Sequence, residues 1–169
     1  MRRIIIITGP VNSGKTSYLH RLIANYKREG YAVGGITAEA LYEQGRKIGY
    51  DACDLISKEC WPLVRSSETA VQMKATAGAQ HVGRFVLLES GLVFTRRCVH
   101  AAAAGDIVCL DEIGPLEMAG RGHRQVLDML LADFEGTFLV VARDTVSDAL
   151  KTMAEKQGWI AEKQYPTTY

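Results

Sequence analysis

Nothing in this chain of 169 residues approaches the apolar run needed to span a bilayer. The β-branched run Ile4-Ile5-Ile6-Ile7 is too short for a secretory signal core, and no cleavage-site pattern follows it. An excess of one charge is also lacking: 20 Lys and Arg stand against 19 Asp and Glu, a formal net charge of +1. Without a broad basic field, attraction to nucleic acid or to anionic lipid is not expected. Cysteine is sparse. Cys53, Cys60, Cys98 and Cys109 include no C-x-x-C pair, and Cys98 and Cys109 lie in apolar segments that suit buried free thiols. His20, His81, His100 and His123 are scattered, none at ligand spacing from a cysteine, so a zinc site is not expected. There is no internal repeat and no sign of a second domain. These absences point to a cytosolic protein with one domain over residues 1–169, whose 47% hydrophobic content is enough to build a core.

What is present is concentrated near the start. Gly9-Pro10-Val11-Asn12-Ser13-Gly14-Lys15-Thr16 reads G-x-x-x-x-G-K-[ST], the pattern of a phosphate-binding loop. Its glycines permit a tight turn that brings backbone N–H groups together into a concave, partly positive nest. A following helix adds its unpaired N–H groups at the same place, which extends the anion site from Gly9 through Ser17. Lys15 can reach the β- and γ-phosphates, and the Thr16 hydroxyl can ligate a Mg²⁺ that bridges them. The context agrees with the motif. Ile4–Ile7 reads as a strand buried on both faces. Leu19, Leu22, Ile23 and Tyr26 then form the i, i+3, i+4, i+7 stripe of a helix that ends near Gly30.

Further along, Tyr31 to Leu41, Lys47 to Ile56 and Cys60 to Arg65 read as three strands joined by turns, an antiparallel meander in which Gly34-Gly35 marks a weak point or a close backbone approach. Residues 66–83 are polar and rich in small residues, and read as a loop that could serve as a lid. Phe85–Leu88, Ile107–Leu110 and Phe138–Ala142 are short apolar runs. Helical patterns cover Gly91 to Ala104, Gly120 to Phe134 and Val146 to Gln157, with a last edge strand at Trp159 to Gln164 and a frayed tail after Pro166. Strands alternating with helices imply right-handed crossovers, hence an α/β fold with a mainly parallel sheet flanked by helices.

In such a sheet, ligands gather at the carboxyl ends of the strands. Asp111 and Glu112 follow Ile107–Leu110 directly. An apolar strand ending in an acid is the expected partner of a phosphate loop, so Asp111 is assigned to the Mg²⁺ and Glu112 to an attacking water at the γ-phosphate. Arg143 follows the run ending at Ala142, where a cation could stabilise transition-state charge, and Arg65 holds the same position after Leu63-Val64. Either arginine could equally be an ordinary surface residue. Glu117 favours the start of a helix. Asp51 and Asp54, on the antiparallel strands, and Glu89, at the end of its strand, are weaker candidates.

The loop motif, the run Asp111-Glu112-Ile113-Gly114-Pro115-Leu116-Glu117 and the stretch Arg46-Lys47-Ile48-Gly49-Tyr50-Asp51 together resemble the THEP1-type nucleoside-triphosphatases, also called cancer-related nucleoside-triphosphatases. The resemblance runs from about Arg3 to about Gln164. It implies a RecA-like P-loop NTPase fold with an added antiparallel meander between the first helix and the Walker B strand. It further implies Mg²⁺-dependent hydrolysis of ATP, GTP and other nucleoside triphosphates with loose base preference. Glu112 would be the catalytic carboxylate, and Arg65 would match an arginine that the family carries after its meander. Two other classes stay open: a small-molecule or nucleotide kinase using the same loop, and a binding module timed by slow hydrolysis. The kinase would need an acceptor pocket, and there is no clear cluster of lid arginines. No N-K-x-D stretch occurs, so a guanine-specific switch is disfavoured.

Overall fold

The computed structural model describes residues 1–166. The expected fraying of the tail concerns residues outside that range. Among the described residues, fifteen elements follow one another: β1 (Arg3–Ile7), α1 (Lys15–Arg28), β2 (Val33–Glu43), β3 (Arg46–Asp54), β4 (Cys60–Ser66), α2 (Ser67–Gln72), β5 (Gln80–Val82), β6 (Phe85–Leu87), α3 (Glu89–Ala102), β7 (Ile107–Ile113), α4 (Pro115–Met118), α5 (Arg124–Asp133), β8 (Thr137–Ala142), α6 (Asp144–Glu155) and β9 (Ile160–Gln164).

The strands form one sheet in the order β5-β6-β4-β3-β2-β7-β8-β1-β9. From β2 to β9 the neighbours run parallel. From β2 outward through β3, β4, β6 and β5 they run antiparallel. Strand side chains alternate between two faces, and both faces are apolar. Ile5, Ile7, Cys109, Leu139 and Val141 pack with Leu19 and Ile23 of α1. Ile4, Ile6, Leu110, Phe138 and Val140 pack with Val99 of α3, Leu127 and Leu130 of α5, and Leu150 of α6. Burial on both sides explains why the parallel strands read as unbroken β-branched and aliphatic runs.

Gly34-Gly35 is the close approach. Gly35 has φ +99°, and a Cβ there would overlap the backbone carbonyl of Cys109 on the neighbouring strand. Cys98 and Cys109 are buried free thiols. Cys53 and Cys60, directly opposed on β3 and β4, form a disulfide.

Two expectations are corrected. Residues 66–83 are a loop only in part: the mostly exposed stretch 73–79 is irregular, and it is flanked by a helix and a strand. Ser66 caps α2 by accepting a hydrogen bond from the Thr69 backbone N–H, and Ala70 packs with Val86 and Leu88. β5 then pairs with β6 at the sheet edge. The helix expected from Gly120 begins only at Arg124, because Gly120 and Gly122 both adopt positive φ, which an α-helix does not accommodate. Among the described residues, no helix is long and apolar enough to cross a membrane.

Candidate active site

The parallel strands end at a common level. Ile7 of β1 is paired with Val141 of β8, and Val141 with Asp111 of β7. The loop 8–14 therefore leaves β1 beside the acids of β7. Asn12 (φ +59°) and Gly14 (φ +80°) sit in the left-handed region, and Gly14 is the residue from which α1 starts. A left-handed turn ahead of a helix directs consecutive N–H groups to one side. The Ser13 hydroxyl is buried without a hydrogen-bond partner among the described residues, a donor available to an anion. The Lys15 ammonium lies back across the loop and donates to the carbonyls of Gly9 (3.0 Å) and Pro10 (2.7 Å).

Thr16, in the first turn of α1, donates its hydroxyl to Asp111 Oδ2 at 3.2 Å. The Ala38 backbone N–H reaches the same oxygen at 3.4 Å. Asp111 is only 1% exposed. Burial, aided by the neighbouring charge of Glu112, pushes its carboxyl up to about 7, against the pull of the Ala38 and Thr16 donors. An uncompensated carboxylate is costly at such a site. A divalent cation removes that cost, and a hydroxyl with a carboxylate is a hard-oxygen pair that suits Mg²⁺, whose remaining positions normally go to water and phosphate oxygens. Among the described residues no group of three or more His, Cys, Asp or Glu could hold a metal unaided.

Glu112 points the other way. Its side chain is 35% exposed, and it accepts a hydrogen bond from Arg143 Nε at 2.8 Å. Arg143 sits where β8 gives way to α6, its guanidinium stem over Gly114, where a Cβ would be 3.6 Å from Arg143 Cδ. The structure thus brings together the loop 9–17, Asp111, Glu112 and Arg143. Arg65 is elsewhere, on the third strand from β7. Its nearly buried guanidinium donates to the carbonyls of Tyr50 and Val64 and to Asp51 Oδ1 at 2.6 Å. Asp54 is buried and accepts from the Ser57 N–H, which folds the β3–β4 turn. Glu89 pairs with Arg96 on α3.

Two acids carry more than sequence reasoning gave them. Glu117 is buried, and its carboxylate accepts from the backbone N–H groups of Gly114 (2.8 Å) and His123 (3.0 Å). It braces the whole loop that follows Glu112. A Cβ at Gly122 would overlap that carboxylate. The D-E-I-G-P-L-E run pointed to Glu117, but as a helix-start residue only. Glu39 lies just past the parallel part of β2, accepting from Thr37 and paired with His20 of α1 at 3.1 Å. The rule that flagged Asp111, an acid just past an apolar run, would have flagged it too. An open groove of about 460 Å³ between β4 and α3, lined in part by Trp61, Phe94 and Arg97, shares no residue with this site.

Comparison with known proteins identifies the family of the chain. The profile of the NTPase family matches residues 4–162. The nucleoside-triphosphatase THEP1 of Methanothermobacter thermautotrophicus is 31% identical over 147 residues, 87% of this chain and 80% of that protein. The protein of the same name from Methanopyrus kandleri is 30% identical over 115 residues; the match takes in 68% of this chain but only 59% of that protein, less than two thirds of its length. The solution structure of a human cancer-related nucleoside triphosphatase superposes with a TM-score of 0.72 at 23% identity, covering 98% of this chain and 89% of that one, a likeness of fold. On the profile match and the identity to the Methanothermobacter protein, the chain belongs to the NTPase family, that of the THEP1-type nucleoside-triphosphatases.

Proposed function

We propose that this protein is a Mg²⁺-dependent nucleoside-triphosphatase that hydrolyses ATP, GTP and other nucleoside triphosphates to the diphosphate and phosphate, acting on free nucleotides in the cytosol. The observation that carries the reading is the contact of the Thr16 hydroxyl with Asp111, 3.2 Å apart, with Glu112 next in the chain. The names of the relatives, nucleoside-triphosphatases, support the reaction class.

In this reading the N–H groups of residues 9–17 and the Ser13 hydroxyl receive the β- and γ-phosphates, and Lys15 leaves the Gly9 and Pro10 carbonyls to neutralise them. Thr16 and Asp111 would hold the Mg²⁺, which would offset charge on the phosphate oxygens. Glu112 orients the attacking water and accepts its proton. Arg143, already at 2.8 Å from Glu112, supplies positive charge where the γ-phosphoryl oxygens gain negative charge. Arg65 is the more distant arginine of the proposal; reaching a phosphate requires it to leave Asp51.

The kinase alternative needs a lid and an acceptor site. Of the stretch considered as a lid, α2 and β5 are tied to the sheet edge, and only residues 73–79 between them are irregular. The test is phosphate release from ATP, GTP, CTP and UTP with magnesium, with and without candidate acceptors. Release into water alone supports the hydrolase. Transfer that occurs only with an acceptor contradicts it.

A further inference from the structure

The direction in which a triphosphate must lie leads to the nucleoside. The groups assigned to the Mg²⁺, the attacking water and the γ-phosphoryl charge, Asp111, Glu112 and Arg143, stand at the ends of β7 and β8, on one side of the loop that leaves β1. A polyphosphate tail anchored there has its nucleoside end on the other side of β1. The neighbour on that side is β9, three strand spacings from β7, or roughly 14 Å at about 4.8 Å per strand.

The end of β9 is built against the loop. Gln164 is paired with Ile7 in the parallel register, and its carbonyl accepts the Thr8 N–H at 2.9 Å. The chain then passes directly beside the phosphate loop: a Cβ at Gly9 would lie 3.8 Å from Pro166 Cδ. Between these two residues is Tyr165, whose side chain is among the large exposed hydrophobic ones at 53% exposure. The Lys163 ammonium lies 5.8 Å from the centre of its ring. The polar groups nearby are engaged within the chain. Tyr18 of α1 donates its hydroxyl to Gln164 Oε1 at 2.9 Å, and Gln164 Nε2 donates to Glu162 Oε1 at 2.5 Å. Lys163 donates to Asp148 at 2.8 Å.

We infer that the segment Gln164-Tyr165-Pro166 is the nucleoside subsite and that Tyr165 is its stacking platform for the base. This rests on the phosphate-loop reading given above. An aromatic face recognises any base through its π-surface. Hydrogen-bond readout would demand free donors and acceptors, and here the Gln164 amide is already committed to Tyr18 and Glu162. The subsite therefore takes nucleoside triphosphates as a class, with purines favoured over pyrimidines by their larger stacking area and little separation of adenine from guanine.

The experiment compares ligands with and without a base. Titration calorimetry at millimolar magnesium is run with ATP, GTP and inorganic tripolyphosphate on the wild type, Tyr165→Ala and Tyr165→Phe. The expected result is that Tyr165→Ala weakens ATP and GTP alike, by about 5- to 100-fold for the loss of one base–aromatic stack. Its affinity for tripolyphosphate stays within about twofold of the wild type, since that ligand has no base to stack. Tyr165→Phe, which keeps the ring, binds all three as the wild type does. Unchanged ATP affinity in Tyr165→Ala overturns the inference, as does an equal loss for ATP and tripolyphosphate. A wild type that binds neither ATP nor tripolyphosphate overturns the phosphate-loop reading instead, so the two failures are distinguishable.

Discussion

Arg143 and Glu112 face each other across an ion pair at 2.8 Å, with the arginine side chain 58% exposed and the glutamate 35%. A pair this exposed contributes little to folding, at most about 1 kcal/mol. Its significance is positional: two groups of opposite charge are held beside Asp111 and free to part. Arg143→Ala is expected to lower kcat for every triphosphate by about 10²–10³-fold, the usual cost of removing one charge-stabilising donor, with little change in thermal stability. Steady-state kinetics alongside a melting curve checks this, and a variant with wild-type kcat removes Arg143 from the mechanism. His123 makes a different prediction. It is fully buried, its Nδ1 has no partner among the described residues, and burial pushes its pKa down to about 4. Between about pH 4 and the ordinary histidine value near 6.5 the unfolded chain binds the proton that the folded chain refuses. Stability linked to His123 is therefore present above about pH 6.5 and is lost as pH falls toward about 4, by at most about 3 kcal/mol. The raised Asp111 carboxyl acts with the opposite sign over an overlapping range, so the histidine effect must be read as a difference. Urea unfolding of wild type and His123→Gln at several pH values should show the variant losing less stability on acidification. Parallel pH profiles would contradict it.

Among the elements, the β3–β4 hairpin is fastened at both ends, by the Cys53–Cys60 disulfide near its turn and by the Asp51–Arg65 pair further along. A cross-link over a sequence separation of 7 closes a small loop and is expected to stabilise the folded chain by about 2–3 kcal/mol. Cys53→Ser should thus unfold at lower denaturant than the oxidised wild type and match the wild type once both are reduced; equal midpoints without reductant would contradict this. That pairing was not legible in the sequence, because it depends on which residues of two strands stand opposite each other. The first helix was legible: the spacing of Leu19, Leu22, Ile23 and Tyr26 gives its buried stripe, and Leu19 and Ile23 are its buried residues. The start of α5 was not. Leu127, Leu130 and Leu131 announced a helix, but the apolar pattern says nothing of backbone sign at Gly120 and Gly122, and a brace formed by Glu117 requires the chain to turn there. The helix α2 was hidden for another reason. It has six residues with one buried side chain, Ala70, too short to carry a periodic signal.

For the whole molecule, the sequence indicated that strands alternate with helices and that β2, β3 and β4 pair in succession, but not which of the parallel strands are neighbours. β1 and β2 are consecutive, yet β7 and β8 lie between them. That insertion is what creates the site, since it sets the end of β7 beside the loop leaving β1 with β8 between them. The motif residues 9–16 and the pair 111–112 could be singled out in advance because the chemistry proposed for them depends on residue type at fixed spacing. Glu117 and Glu39 could not be ranked, because their part is defined by backbone N–H groups and a histidine that come near only in the folded chain. The account stands most directly on Glu112. The decisive measurement is magnesium-dependent phosphate release by Glu112→Gln against the wild type, with nucleotide affinity determined on the same preparations. The account predicts turnover reduced by about 10²–10⁴-fold, the contribution of a positioned base, with nucleotide still bound. Phosphate release at the wild-type rate from Glu112→Gln would contradict it.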